Sequence, residues 1–272
     1  LYSYWLNETS LSSVFLKLKY PKLTIISRAH SSEVYLHCNK NGYQPFKKKI
    51  MTGLDQLICV SGYLKKYISA NYQLDDINIK VARLGTKNNL FLKRPIREGL
   101  KIISIGSADV KRIELLEASL KLIHEIKIEW HHYGSLNYSL DDYHLNNLVN
   151  CTHFGYFPNK ELLSRIKNGK YDLLINVSSS EGIPVSAMEV MSHGIPVIAT
   201  NVGGTSEIVN NENGQLLNST PSLEEICNAI RNFHNLSPEQ VNLKKQAAYK
   251  TWQEKYNSKT NYTQFVEDIL SL

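Results

Sequence analysis

Residues 176–217 read NVSSSEGIPVSAMEVMSHGIPVIATNVGGTSEIVNNENGQLL, and the punctuation of this stretch decides the fold. A short apolar strand ends at Val177, a serine-rich turn follows, and a helix opens near Pro184. Proline suits a first helical position because the N–H it lacks would be unpaired there. Gly194 stops that helix, Pro196 prevents its continuation, and residues 197–200 form the next strand. Gly203 and Gly204 make a tight turn, and a further helix is expected over residues 205–209. This alternation places two helix amino termini at the carboxyl ends of adjacent parallel strands, where open α/β sheets bind ligands. Free N–H groups and the positive ends of helix dipoles favour a diphosphate there. Gly182, Gly203 and Gly204 let backbone approach such a ligand with no Cβ in the way. Glu181 in the turn and Glu189 further along the helix bracket a ligand lying across the helix start. A carboxylate suits paired sugar hydroxyls because it accepts two hydrogen bonds at once.

Outward from this stretch the alternation continues. Residues 23–27 (LTIIS), 56–61 (QLICVS) and 79–84 (IKVARL) read as strands, with a helix over residues 62–71. A second series starts with the strand KIISIGS at residues 101–107, after which Asp109 caps a helix running to about Ile123. Ile113, Leu116, Leu120 and Ile123 give that helix one apolar face. Strands follow at residues 126–133, 152–156 and 171–177, with a helix around residues 159–167. Residues 85–99 (GTKNNLFLKRPIREG) combine glycines, a proline and mixed charge without periodicity, and read as an interdomain linker. Residues 237–272 hold no β-rich run and read as two helices. The fold class is α/β, with parallel sheets covered by helices on both faces.

Composition narrows the function. With 272 residues, 42% hydrophobic and 21% charged, the chain is of the globular class, large enough for two ordinary cores. Its apolar runs are too short and interrupted for a membrane-spanning helix, and no leader pattern opens it, so a cytoplasmic protein is expected. Cys38, Cys59, Cys151 and Cys227 form no Cys-x-x-Cys pair, which predicts buried thiols in a reducing compartment and no structural zinc. Residues 1–90 hold 13 Lys+Arg against 5 Asp+Glu, a net charge of +8, whereas the remainder carries −2. Lys47, Lys48 and Lys49, with Lys65 and Lys66 behind them, form a basic patch suited to an anionic lipid surface, an acidic acceptor or nucleic acid. Nucleic acid is disfavoured because the basic residues are not interleaved with aromatics on a recognisable motif. The lack of G-x-G-x-x-G after a first strand argues against a nicotinamide-dependent oxidoreductase.

Residues 181–189, EGIPVSAME, resemble the Glu-x7-Glu signature of the retaining glycosyltransferase family 4, and HGIPVIAT, GGTSEIV and GQLL follow in the family's order. Residues 110–116 (VKRIELL) resemble the helix start where that family sets a lysine, here Lys111, against the donor diphosphate. Phe154-Gly155-Tyr156 resembles the loop that lies against the nucleotide base. Ser27-Arg-Ala-His30, with Tyr35 five residues on, resembles a segment of capsule and exopolysaccharide members whose histidine lies near the donor sugar. Trp252, Tyr256, Asn261 and Tyr262 resemble the helix that crosses back to the first domain.

The resemblance implies a GT-B fold, two Rossmann-like domains facing a cleft, with the first incomplete at its amino end. Residues 1–90 would be the partial acceptor-side domain, 91–250 the donor domain and 251–272 the returning helix. It implies transfer of a hexose from a nucleoside diphosphate sugar to a glycan or lipid-linked acceptor with retained configuration, in capsule, exopolysaccharide or lipopolysaccharide assembly. By analogy Glu189 holds the ribose hydroxyls, Glu181 lies beside the transferred sugar, and His30 reaches across the cleft to sugar or leaving diphosphate. Gly106, Gly155, Gly182, Ile183, Val185, Gly203 and Gly204 line the donor. Ser107 follows Gly106 where many members have arginine, and Arg112 is the expected substitute at the diphosphate. Ser31 and Glu33 stand where the related pattern has Gly and Asp. With no Asp-x-Asp signature, neither metal nor cofactor is expected, and the diphosphate charge falls to Lys111 and helix amino termini. The basic first part suits peripheral binding at the inner face of the cytoplasmic membrane. The alternative is a degenerate, non-catalytic nucleotide-sugar-binding relative, favoured by Ser107 and the short amino end and opposed by Glu181 and Glu189.

Overall fold

Among the described residues two separate sheets, parallel in every pairing but one, organise the chain. The structure, a computed structural model, describes residues 1–74, 77–87, 90–91, 98–136 and 143–272. The chain divides into one compact unit of Leu1–Leu84, Glu181–Ile183 and Lys259–Leu272, and another of Gly85–Ser180 and Pro184–Ser258.

In the first unit, strands β1 (Tyr2–Ser3), β2 (Ile26–Ala29), β3 (Gln56–Cys59) and β4 (Ile79–Val81) pair in sequence order, all parallel. Helices α1 (Glu8–Lys19), α2 (Lys47–Thr52) and α3 (Gly62–Asn71) connect them, with a short 3-10 turn at Leu36–Cys38. Asn7 and Ser61 cap α1 and α3, their side chains accepting from Thr9 and Leu64 N–H groups. β2 begins three residues later than the apolar run predicts. Ile25 N–H donates to the Asp55 carboxylate at 2.7 Å and so leaves the ladder, while Arg28 enters it. Arg28 is 1% exposed, with its guanidinium in a cation–π placement 4.2 Å from the Phe265 ring.

The second unit holds β5 (Leu100–Ile105), β6 (Ile128–Tyr133), β7 (Tyr143–His144), β8 (Val149–His153), β9 (Leu173–Asn176), β10 (Val197–Thr200) and β11 (Gly214–Leu217). Their order is β11-β10-β9-β5-β6-β8-β7, parallel except for β7 against β8. Helices α4 (Ala108–Lys111), α5 (Ile113–Lys121), α6 (Asn159–Gly169), α7 (Val185–Met191), α8 (Leu223–His234) and α9 (Pro238–Lys255) complete this unit, and α10 (Ser258–Leu270) ends the chain. One face of the sheet packs Ile102, Ile128 and Trp130 against α5 and α8 in the main core. From the other face His131 and Tyr133 meet Tyr171, Phe154 and Phe157. A Ser237–Gln240 capping box starts α9, consistent with the two-helix reading of this end.

Several expectations are corrected. The helix from Asp109 to Ile123 is broken: Arg112 sits at φ 48°, ψ 46°, dividing α4 from α5. The helix expected over residues 205–209 is a five-residue 3-10 turn, Gly203–Glu207. It cannot lengthen because Asn213 accepts from Asn210 N–H and donates to Ile208 O, each at 2.9 Å, folding the chain back into β11. Pro184 caps α7 from outside instead of opening it. Cys38 is exposed, although the other three thiols are buried, and none of the four is in a disulfide. Lys47 turns inward to donate to Leu6 O, leaving Lys48 and Lys49 outward. Of the stretch read as a linker, residues 88–89 and 92–97 lie outside the described residues; Thr86 is bonded to Trp252, Tyr256 and Met188. Among the described residues no helix is long and apolar enough to cross a membrane.

Leu120, fully buried where α5 meets α8, should be a keystone of the second unit. Leu120→Ala is expected to cost about 2–5 kcal/mol in urea unfolding. A loss below about 1 kcal/mol would show that this core closes around the gap.

Candidate functional site

The carboxyl ends of β5, β6 and β8 meet in a floor made of glycine. Gly106 follows β5 at φ +127° and Gly134 follows β6 at φ +152°. Gly106 N–H donates to Tyr133 O at 2.8 Å, and Gly134 N–H to Gly155 O at 2.9 Å. A Cβ added to Gly134 would collide with Gly106 O, so the two turns touch backbone to backbone. A Cβ on Gly106 would lie 2.6 Å from Lys111 Cε, so the lysine stem fills the room that glycine leaves. Gly155, at φ +72°, faces open space, and neighbouring Tyr156 is 75% exposed. Gly106, Lys111 and Gly155, chosen from sequence, thus come together at one sheet end. Gly134 completes them and was not anticipated, although HHYG repeats the strand-then-glycine pattern that marks Gly106.

Arg112, expected at the diphosphate, is bonded to backbone carbonyls. Its Nε donates to Val177 O at 2.6 Å, and Nη2 donates to Ser178 O at 2.9 Å and Ser219 O at 3.0 Å. Three of its five donors are spent on carbonyls that follow β9 and β11. Ser179 N–H adds a bond to Val110 O at 2.8 Å. Together these latches offset the cost of a left-handed arginine, about 1–2 kcal/mol, and fix the short helix that carries Lys111.

Glu189 lies inside α7 and is 5% exposed. Its Oε1 accepts from Asn159 Nδ2 at 2.6 Å, at the first turn of α6. Burial raises its pKa above the ordinary carboxylate value, and the Asn159 bond only partly opposes this. Asn159 is a second residue that the sequence did not flag; nothing in Pro158-Asn159 marks it. Elsewhere on this segment Ile183 is buried, Val185 is exposed, and Gly203 (φ +54°) and Gly204 enter the 3-10 turn.

Glu181, Gly182 and Ile183 cluster with the first unit. There, His30 follows β2 with its ring between Tyr4 and Trp5, at centroid distances of 4.7 and 4.1 Å. Its Nε2 lies 3.0 Å from Tyr4 O. A carbonyl only accepts, so Nε2 carries the proton and Nδ1 of the neutral ring is an acceptor. Burial holds the His30 pKa below its ordinary value, with Glu33 opposing and Arg28 reinforcing the shift. Glu33 accepts from His30 N–H at 2.8 Å and Ser31 N–H at 3.2 Å, so its carboxylate closes the turn after β2. A Cβ on Gly182 would lie 2.7 Å from His30 O, and Tyr35 OH donates to Glu181 O at 3.3 Å. Residues 181–183 therefore rest on the His30–Tyr35 segment, and glycine is required at 182. Among the described residues no three His, Cys, Asp or Glu side chains gather as metal ligands.

A family model described as glycosyl transferases group 1 matches residues 98–250. An uncharacterised glycosyltransferase of Methanocaldococcus jannaschii is 28% identical over 194 residues, which are 71% of this chain and 52% of that protein. The chain therefore spans about half the length of this relative. Among solved structures, sucrose-phosphate synthase from Thermosynechococcus elongatus superposes with a TM-score of 0.81 at 18% identity, covering 99% of this chain and 72% of that one. Anabaena HepE in complex with UDP and glucose gives 0.74 at 17% identity, covering 97% and 76%. At these identities the likeness is one of fold, the GT-B fold of two parallel α/β sheets.

Glu189 gives a test of this geometry. Its folded pKa lies above the unfolded value near 4.5, so its contribution to stability is full below that value and is lost as pH rises through the folded pKa. Glu189→Gln should therefore stabilise the chain near pH 7, with the gain vanishing below about pH 4. A gain that persists at low pH, or none at pH 7, would contradict a carboxyl buried as seen here.

Proposed function

Because this chain belongs to the glycosyl transferases group 1 family, we propose that it transfers a hexose from a nucleoside diphosphate sugar to a hydroxyl of a glycan or lipid-linked acceptor, with retention, as a member of family 4. The observation that carries this reading is the floor of Gly106, Gly134 and Gly155 with the Lys111 stem laid over it, at the strand ends where α/β sheets hold phosphates. Lys111 would neutralise the leaving diphosphate without a metal ion or other cofactor. Glu189 would take the ribose hydroxyls, and Glu181 would lie beside the sugar. Residues 1–90 would serve the acceptor, 91–250 the donor, and 251–272 would return the chain to the first unit. Uridine is the base to try first, since the HepE structure holds UDP.

The tautomer of His30 refines its role. A neutral ring with Nε2–H committed to Tyr4 O offers only Nδ1, an acceptor, and so suits a sugar hydroxyl better than a diphosphate oxygen. Leaving-group stabilisation would then rest on Lys111 and backbone N–H groups, the largest expected catalytic effect. Assembly of capsule, exopolysaccharide or lipopolysaccharide, at the cytoplasmic face of a membrane bound peripherally through the basic first unit, is the setting proposed. A non-catalytic nucleotide-sugar-binding relative is the second reading, favoured by the engagement of Arg112 with carbonyls and by Ser107 after Gly106.

The test is turnover of UDP-, GDP- and ADP-glucose in the presence of EDTA, with the anomer of the transferred sugar read by proton NMR. His30→Ala should lower turnover by about 10²-fold or more while nucleotide affinity changes little. The wild-type rate should fall on acidification only below the ordinary imidazole pKa. A folded chain that binds a nucleotide but turns over none of the three donors would favour the non-catalytic reading.

A further inference from the structure

The first unit contains a concave surface apart from His30 and the residues that position it. A pocket of about 560 Å3 is lined by Tyr43, Gln44, Phe46, Lys48, Lys49 and Gln73, among others. That volume falls in the range of small-ligand sites, enough for a short oligosaccharide and too large for a lone ion. Tyr43 and Phe46 present their rings at 63% and 60% exposure. Phe46 does so at φ +58°, a costly conformation for a bulky side chain that burial does not repay here. Lys47 is turned inward onto Leu6 O, so Lys48 and Lys49 carry the positive charge of the rim. No carboxylate lines the pocket among the described residues. Aromatic faces suit the C–H faces of sugar rings, amides suit hydroxyls, and two lysines suit an acidic substituent.

The pocket also shares a wall with the candidate site. Gln44 Nε2 donates to Ser32 O at 2.8 Å and Tyr35 O at 3.0 Å, and Tyr72 OH donates to Val34 O at 2.5 Å. These bonds hold the same segment whose ends carry His30 and the Tyr35 bond to Glu181 O. An occupant of the pocket would thus bear directly on the segment that positions the histidine.

We propose that this pocket binds an anionic saccharide, a sugar bearing carboxylate or phosphate, as a distal part of the acceptor. The word acceptor rests on the glycosyltransferase reading; the binding does not. A concave site lined by rings fits a saccharide better than the plane of a bilayer.

The experiment is calorimetric titration of the full chain with a galacturonate hexamer, with glucose 6-phosphate, and with uncharged maltohexaose. It is repeated on Lys48→Gln/Lys49→Gln and on Phe46→Gly, each checked for folding by circular dichroism and for UDP binding. At least one anionic sugar should bind, at least tenfold more tightly than maltohexaose, with a loss of tenfold or more in the double lysine variant. Phe46→Gly should weaken it while preserving the backbone that needs a positive φ. UDP affinity should be unchanged in both variants, so a failed donor site would show itself separately. Binding of neither anionic sugar, or equal binding of the neutral one, would overturn the proposal. So would sedimentation with phosphatidylglycerol vesicles that depends on Lys48 and Lys49 when no anionic sugar binds, since the surface would then be a lipid one.

Discussion

The backbone contact between Gly106 and Gly134 is the constraint around which the second unit is arranged. Two neighbouring parallel strands, β5 and β6, end in turns so close that a single Cβ at 134 would occupy the Gly106 carbonyl. The contact removes side chains from the strand ends and leaves bare backbone and one lysine stem in their place. Gly155, tied to Gly134 by a 2.9 Å bond, extends the same floor to β8. A ligand with a diphosphate needs such a surface: close backbone approach, few carboxylates and a positive charge on a tethered arm.

Around that floor, ordinary side chains do unusual structural work. Arg112 breaks a helix in order to grip three carbonyls, and so sets the direction of the single helical turn that bears Lys111. Glu189 is held under cover against Asn159, a poor place for a carboxylate without a partner of its own and a suitable one for a group that meets sugar hydroxyls. The same economy holds in the first unit, where Glu33 closes the His30 turn and Gly182 makes room for the His30 carbonyl.

What was legible in the sequence was what glycine and proline punctuate. Pro184, Gly194 and Pro196 mark α7 and β10, and the buried strands of the parallel sheets read as short apolar runs because both their faces are covered. The break at Arg112 was illegible for a physical reason. Arginine is a good helix former, and the carbonyls that pull it out of the helix lie more than sixty residues away. The Asn159–Glu189 bond is equally non-local. The 3-10 turn at Gly203 was misread as a helix because the asparagines that close it, Asn210 and Asn213, act through side-chain bonds and not through periodicity. β2 starts later than its apolar run because a buried arginine contradicts the pattern, and the rings that face it, Tyr4 and Phe265, are both distant in sequence. α8 carries a helical signal in Ile226, Ile230 and Phe233 on one face, and the HHYG run carries the signal for Gly134.

The most direct test of the central claim, that the second unit holds a nucleoside diphosphate at the Gly106–Gly134 floor, is calorimetric titration with UDP, GDP and ADP in metal-free buffer, beside Glu189→Ala. The account predicts that one of the three binds and that the substitution weakens it about tenfold or more, as loss of a charged partner to two hydroxyls would. A folded chain that binds none of them, or binds one with an affinity that Glu189→Ala leaves untouched, would contradict it.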